Sequence, residues 1–207
     1  MGSEDEYRKY RSNLGELATK AVLERLSDLW LEKIPEKKND ITPDFRVLKE
    51  AIPVATCEVK SLVDPLFSSS SDFNFGTQEW NDLMKKKDAN HRSKLRKKLG
   101  EGINQLKKYK GSVTVICFVS FDMTDYIDMG QVLQEHLELH PGDWIPDVFI
   151  LMKVHQNIIP SNNFEIEDTI RLMHNSKQGE EFGTKYLAWD QTLKKTGSLP
   201  LSFTLEN

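Results

Sequence analysis

The stretch VTVICFVSF, residues 113–121, is apolar along almost its whole length. Such a run is typical of a β-strand that is buried on both faces of a sheet. The stretch DVFILMKV, residues 147–154, is of the same type, and the segment 125–139 between the two has the pattern of a helix. Strand, helix and strand in this order predict a parallel strand pair joined by a right-handed crossover. The predicted fold class is therefore α/β, with a mixed central β-sheet flanked by helices.

Two helices and a hairpin are predicted ahead of these strands. Residues 4–34 place apolar side chains three and four positions apart, which is the spacing of one helix face. Residues 41–48 and 53–60 are short β-rich runs that predict a hairpin, and residues 92–110 predict a second helix. The expected inward-facing side chains are Leu14, Leu17, Ala18, Ala21, Val22, Leu26, Leu29 and Trp30 of the first helix and Leu95, Leu99, Ile103 and Leu106 of the second.

The rest of the chain carries weaker signals. The stretch 68–71 is polar and made of small residues, and the segment after it has no clean period, so a mobile loop is predicted. Beyond Pro160 the pattern indicates a helix near 167–175 and a strand near 201–205. The expected organisation is one domain over residues 1–207, with a core at about 10–154, a mobile insertion at about 64–91 and a C-terminal extension at about 155–207.

Three features bear on where the protein works. No run of about 18 apolar residues exists to cross a bilayer. The start MGSEDE lacks the basic and apolar stretches of a secretory signal. Cys57 and Cys117 both lie inside apolar strand-like runs, where reduced buried thiols are expected rather than a disulfide or a metal site. We therefore expect a protein without a membrane partner, located in the cytoplasm, or in the nucleus if the source is eukaryotic.

Charge is unevenly placed along the chain. Residues 85–110 hold eleven Lys or Arg against two acids, a local charge of +9, whereas the whole chain carries -4 and the remainder therefore -13. A solvated helix face is the ordinary explanation of such a run. Beside a phosphate-cleaving site, the same cations would suit contacts to a nucleic-acid backbone.

Three polar residues of the predicted hairpin carry the chemistry. Asp44 heads one strand and Glu58 lies near the end of the next, so pairing of the strands would bring both carboxylates together. Lys60 is two positions after Glu58, and period-two alternation puts both side chains on one face. Phosphodiester cleavage requires charge neutralisation and a positioned water, work that Mg²⁺ performs when one or two carboxylates hold it. The Lys60 ammonium would orient that water or stabilise developing charge.

The order Pro43-Asp44, thirteen intervening residues and Glu58-Val59-Lys60 resembles the PD-(D/E)xK superfamily of nucleases, restriction endonucleases and Holliday-junction resolvases. The segment Gln105-Leu106-Lys107-Lys108-Tyr109 is similar to the Gln-x-x-x-Tyr motif of RecB-type and lambda-exonuclease-type members. A second Glu-x-Lys triplet, at 36–38, lies in a polar stretch without a strand around it. The resemblance covers roughly residues 10–121 and implies a restriction-endonuclease-like αβββαβ core.

The resemblance also implies roles for particular residues. It implies that Mg²⁺ or Mn²⁺ is bound by Glu16, Asp44, Glu58 and the Val59 carbonyl, with Glu24 as the rival of Glu16. The implied catalytic residues are Asp44, Glu58, Lys60 and Gln105, of which Gln105 would steer Lys60 or the substrate. The basic helix would contact nucleic acid through Lys94, Arg96, Lys97, Lys98 and Tyr109. The implied activity is metal-dependent hydrolysis of DNA, with RNA as the alternative substrate.

Other interpretations stay open at this point. The acids of the hairpin are also explained by turn capping and strand exposure, in a non-catalytic module that binds nucleic acid or protein. A nuclease that works as a homodimer or inside a larger complex is a further alternative. His136 and His140 are four apart on a helix, but Leu137 stands where a zinc protease needs Glu, and Pro146-Asp147 has no Glu-x-Lys after it. We expect both of these to be structural.

Overall fold

The computed structural model describes residues 4–27, 29–35, 41–62, 78–109, 111–120, 123–140, 143–155, 164–187, 197–199 and 202–205. The helices are α1 (Glu4–Ser27), α2 (Gln78–Leu106, followed by a 3-10 turn at Lys107–Tyr109), α3 (Met123–Leu139) and α4 (Lys177–Tyr186). The strands are β1 (Trp30–Lys33), β2 (Phe45–Lys49), β3 (Ile52–Leu62), β4 (Val113–Ser120), β5 (Val148–His155), β6 (Phe164–His174), β7 (Gly197–Leu199) and β8 (Ser202–Leu205).

The described strands form one mixed sheet. Its order is β1-β2-β3-β4-β5-β6-β7, and β8 also pairs with β6. The pairs β1-β2 and β2-β3 are antiparallel, whereas β3-β4 and β4-β5 are parallel. The predicted α/β class, the hairpin of β2 and β3 and the parallel pair of β4 and β5 are therefore confirmed.

Helices cover both faces of this sheet. The side chains of β4 alternate between two hydrophobic cores, one on each face. Val115 and Cys117 face a cluster that includes Ala18 of α1 and Phe182 of α4. Ile116 faces the opposite cluster, which α2 and α3 complete. That second cluster contains Leu95, Leu99 and Leu106 of α2 and Met129, Val132 and Leu133 of α3. A strand with helices on both faces must be apolar throughout, which explains the run from which the fold was predicted.

Both cysteines are free and fully buried, as expected. The Thr19 hydroxyl of α1 donates a hydrogen bond to Cys117 Sγ at 3.3 Å. Burial raises the pKa of the Cys117 thiol to about 12 and raises the pKa of Cys57 well above its ordinary value. The two thiols are therefore neutral core groups at physiological pH.

The first helix is shorter than predicted. It ends at Ser27, and the residues that follow form β1, which pairs with β2. Leu31 of β1 is buried while its neighbour Trp30 is 58% exposed, the alternation of a strand rather than of a helix. Leu17, also expected to face inward, is 53% exposed. Pairing of Trp30–Lys33 with β2 thus overrides the helical spacing at the end of the predicted element.

The second helix is longer than predicted. It begins at Gln78, so residues 78–91, which were expected to be part of a mobile loop, are helical. Gln78, Asp82 and Lys85 of this stretch are exposed, in agreement with its polar sequence. The remainder of the predicted insertion, residues 64–77, lies outside the described part of the chain.

The C-terminal quarter completes the same sheet. The helix predicted near 167–175 is wrong, because Phe164–His174 is strand β6, antiparallel to β5. The strand predicted near 201–205 is confirmed as β8. Within the described residues, no helix is both long enough and apolar enough to cross a bilayer.

Candidate active site

Strand β3 carries two predicted catalytic residues on the face that α2 covers. Glu58 pairs in register with Ile116 of β4 and Lys60 with Phe118, and both β4 residues belong to the core beneath α2 and α3. Glu58 is 1% exposed, and Lys60 Nζ lies 2.7 Å from Glu58 Oε1. The expectation that both side chains share one face is confirmed.

Helix α2 brings Gln105 to the same place. The Lys60 ammonium donates a hydrogen bond to Gln105 Oε1. The helix can approach because Gly102, one turn earlier, has no side chain. A Cβ at that position would lie 2.1 Å from Ile116 Cδ1 and 3.7 Å from Lys60 Cε. The absence of this one carbon lets α2 lie close enough to β3 for the contact with Lys60.

Asp44 is held between two neighbouring strands. Its Oδ2 accepts a hydrogen bond from the Val59 backbone N–H at 2.8 Å, next to Glu58 in β3. Its backbone carbonyl accepts from the Ile34 N–H, directly after β1, at 2.9 Å. Asp44 is therefore fixed beside the Glu58-Val59-Lys60 triplet, close enough for its charge to contribute to the raised pKa of Glu58.

Glu16 is connected to Asp44 through Lys33, a residue that the sequence analysis did not indicate. Lys33, the last residue of β1, contacts Glu16 Oε2 with its ammonium, which also lies 3.1 Å from Asp44 Oδ1. Helix α1 passes close to β3 at this point, since a Cβ on Gly15 would lie 2.0 Å from Ser61 Oγ. The sequence predicted a helix at Lys33. The direction of the Lys33 side chain is instead set by the pairing of β1 with β2.

Burial and neighbouring charges shift the pKa values of Glu58 and Lys33. Burial, together with the nearby charge of Asp44, raises the pKa of Glu58 to about 7, although the Lys60 ammonium opposes this shift. The second carboxyl oxygen of Glu58, Oε2, is buried and has no hydrogen-bond partner among the described residues. For Lys33, burial lowers the pKa, but the hydrogen bonds and charges of Glu16 and Asp44 outweigh it and raise the pKa overall.

The donor set fits a hard divalent cation with few protein ligands. Glu16 and Asp44 direct carboxylate oxygens at one position, where the Lys33 ammonium now lies, and Glu58 Oε2 has unused lone pairs. Mg²⁺ is commonly held by one or two carboxylates while it keeps several waters. Within the described ranges, no group of three or more His, Cys, Asp or Glu is arranged to hold a metal ion. The site therefore offers a pair of carboxylates to a metal ion, not a complete set of protein ligands.

The predicted nucleic-acid contacts lie along α2 and the turn after it. Lys94, Arg96 and Lys97 are exposed and Lys98 is half-buried. Arg96 is 2.9 Å from a carboxylate oxygen of Glu135 in α3, so part of the positive face is neutralised within the molecule.

Tyr109 is half-buried and lies one helical turn beyond Gln105. It lines a cavity of about 330 Å³ together with Thr42, Arg46 and Thr56. Thr56 is on the same face of β3 as Glu58, two positions before it in the strand.

Other candidates from the sequence have structural contacts. Glu24, the rival of Glu16, accepts a hydrogen bond from the Leu31 N–H at 3.0 Å and so fixes the entry into β1. Asp147 accepts from the backbone N–H and the hydroxyl of Thr114, at 2.9 and 2.8 Å. His140 lies 3.3 Å from the Asp143 carboxylate at the end of α3. The triplet at 36–38 lies outside the described residues.

Comparison with known proteins supplies no role for these residues. No match was found in a scan with protein-family models, in a search of curated proteins or in a search of solved structures. What the site can do is therefore inferred from its own contacts.

Proposed function

We propose that this protein is a Mg²⁺- or Mn²⁺-dependent deoxyribonuclease with a PD-(D/E)xK-type core. The observation that carries the proposal is the position of Lys60, whose ammonium is held between Glu58 of its own strand and Gln105 of α2. Asp44 on the adjacent strand completes the arrangement through its bond to the Val59 N–H. The order α1, β1, β2, β3, α2, β4 also supports a restriction-endonuclease-like αβββαβ core.

In this proposal Asp44 and Glu58 would hold the metal ion, with Glu16 and the Val59 carbonyl as further ligands. Bound there, the ion would neutralise phosphoryl charge and lower the pKa of a bound water. Lys60 would orient the attacking water and stabilise the charge that develops on the phosphate, because its ammonium is preorganised by Glu58 and Gln105. Gln105 acts as a positioning residue, since it contacts Lys60 rather than the reacting atoms.

The basic face of α2 would give affinity without sequence preference. Lys94 and Lys97 are exposed cations on the helix that also carries Gln105. Phosphate contacts of this kind release counterions, so binding should weaken steeply as salt rises. Because one helix carries both the exposed cations and the contact to Lys60, DNA lying along α2 would reach the site.

The deciding experiment is a gel assay on labelled single-stranded, duplex and branched DNA. It compares wild type with Lys60→Met and with Lys177→Met, which removes an exposed lysine on α4. Cleavage should require Mg²⁺ or Mn²⁺, cease in EDTA, be lost in Lys60→Met and persist in Lys177→Met. Thermal melts of all three proteins show whether they are folded. Cleavage by a folded Lys60→Met protein at the wild-type rate would refute the assigned site.

A second candidate function is a non-catalytic module that binds nucleic acid or protein and keeps this fold. The observation that favours it is the ammonium of Lys33 between Glu16 and Asp44, where it balances charge without a metal. Such a module would bind DNA equally well in EDTA and in Mg²⁺, and would not cleave it. Titration of binding under both conditions therefore separates the two functions.

A further inference from the structure

We propose that Lys33 is an internal competitor of the metal ion, so that divalent cations must displace its ammonium from the Glu16–Asp44 pair to bind. The inference rests on the proposed function, because it assumes that this acid pair belongs to a metal site. It assigns to Lys33 a role in setting the metal affinity of that site.

The geometry places one positive charge where a metal would bind. Lys33 Nζ contacts Glu16 and is 3.1 Å from Asp44 Oδ1. Oxygen ligands of Mg²⁺ lie at about 2.0–2.1 Å, so an ion could not share this position with the ammonium. When the ammonium leaves, two carboxylates with one negative charge each face the position it occupied.

Lys33 is also able to leave. Its side chain is 43% exposed, while those of Glu16 and Asp44 are 25% and 20% exposed. Ion pairs with such access to water are weak, because solvent screens the charges and holding a long side chain in one geometry costs entropy. Its other described contact is with the ring of Phe45, whose centroid is 5.1 Å from Nζ. None of these contacts locks the ammonium in place against a doubly charged ion.

Lys60 provides the contrast within the same site. Its side chain is 15% exposed and is held by Glu58 and Gln105 on the covered face of β3. The two lysines therefore have different roles in the proposal: Lys60 is preorganised for chemistry, whereas Lys33 lies at the open side and moves. With Lys33 in place the acid pair is partly neutralised, so metal binding should require a higher ion concentration.

The test measures Mn²⁺ binding to the metal-free full chain without DNA, by isothermal titration calorimetry and by loss of the free-ion electron paramagnetic resonance signal. Lys33→Met and Lys33→Gln should bind Mn²⁺ with an affinity at least about tenfold higher than that of wild type. Lys33→Gln retains a hydrogen-bond donor, which guards against misfolding of the methionine variant. The control, Lys177→Met, removes an equal charge from exposed α4 and should leave affinity unchanged.

A double variant locates the effect. Adding Asp44→Asn to Lys33→Met should abolish the gain, because the ion then lacks one acid of the Glu16–Asp44 pair. Unchanged or weaker Mn²⁺ binding in both Lys33 variants would overturn the inference, as would an equal gain in Lys177→Met or no Mn²⁺ binding by any variant. Failure of the nuclease assay with tighter binding in the Lys33 variants refutes only the proposed function. Metal- and Lys60-dependent cleavage with unchanged binding refutes only the role of Lys33.

Discussion

The Lys60 ammonium lies 2.7 Å from the Glu58 carboxylate on the covered face of β3, and the partner oxygen of that carboxylate, Oε2, has no hydrogen bond within the described structure. A buried carboxyl with half of its acceptors unused is costly when charged. The free-energy cost of burying the charged Glu58 carboxyl should be measurable as a dependence of protein stability on pH. Substitution of the residues around Glu58 should also change stability or activity.

Glu58 should make the metal-free protein less stable as pH rises. Its pKa is raised to about 7 in the folded state, above the ordinary value of 4.5, so between these values the folded state binds more protons than the unfolded state. The free energy of unfolding should therefore fall through that window, by about 3 kcal/mol at about 1.4 kcal/mol per pH unit. In Glu58→Gln this contribution disappears.

The measurement is urea unfolding in EDTA at several pH values from 4 to 8, with the difference between wild type and Glu58→Gln as the readout. Carboxyls far from Glu58 titrate equally in both proteins and cancel. Parallel curves for the two proteins would contradict the assigned protonation of Glu58.

Asp44 has a structural and a proposed metal-binding role that substitution can separate. Asp44→Ala leaves the Val59 N–H without its acceptor and should cost about 1–3 kcal/mol of stability. Asp44→Asn retains an oxygen for that N–H and should cost less, while both variants lose metal binding. Chemical denaturation gives the first quantity and Mn²⁺ titration the second. Equal destabilisation by Ala and Asn would show that the hydrogen bond to Val59 contributes little.

Gln105 should affect the rate of cleavage rather than the folding of the protein. In Gln105→Leu the Lys60 ammonium keeps Glu58 but loses the contact that sets its orientation. By analogy with residues that orient catalytic groups, kcat should fall by about 10- to 100-fold. The KM for DNA should stay near the wild-type value. Asn104→Leu, at an exposed neighbouring position of α2, is the matched control and should retain wild-type kinetics.

Two glycines of α2 should respond oppositely to alanine. A Cβ added at Gly100 would have no neighbour within 4 Å beyond its own helix backbone, so Gly100→Ala should stabilise the protein by up to about 1 kcal/mol through helix propensity. Gly102→Ala places a carbon 2.1 Å from Ile116 Cδ1, which is fully buried, and should destabilise by about 1–3 kcal/mol. It should also shift α2 away from Lys60 and reduce cleavage. Thermal and urea unfolding of the two variants gives the comparison, and a stabilising Gly102→Ala would contradict the close packing.

Several features of the candidate site follow from local rules alone. Glu58 and Lys60 share a face because side chains alternate along any strand. The apolar run of β4 predicted a strand covered on both faces of the sheet. In such a strand the side chains pointing in both directions are buried, so nearly every residue is apolar. The helical spacing of Leu95, Leu99 and Leu106 likewise predicted the inward face of α2, and all three are buried.

Other features depend on contacts between distant segments. Lys33 lies on a strand because β1 pairs with β2, although the local spacing of its apolar neighbours suits a helix. The strand character of β6 is likewise set by its pairing with β5. In both elements, pairing with a neighbouring strand overrides the helix that was predicted from the local sequence.

The sequence by itself therefore determined the α/β class, the strand that carries Glu58 and Lys60 and the face they share, because each follows from a short-range periodicity. Only the tertiary structure decided that Gln105 contacts Lys60, that Lys33 lies between Glu16 and Asp44, and that burial raises the pKa of Glu58. These three depend on the approach of α1, β1 and α2 to β3 from separate parts of the chain. The spacing of residues along the chain determines which side chains share a face of one helix or strand. The distances between side chains of different elements, and the loss of water around them, are set only when the elements pack together.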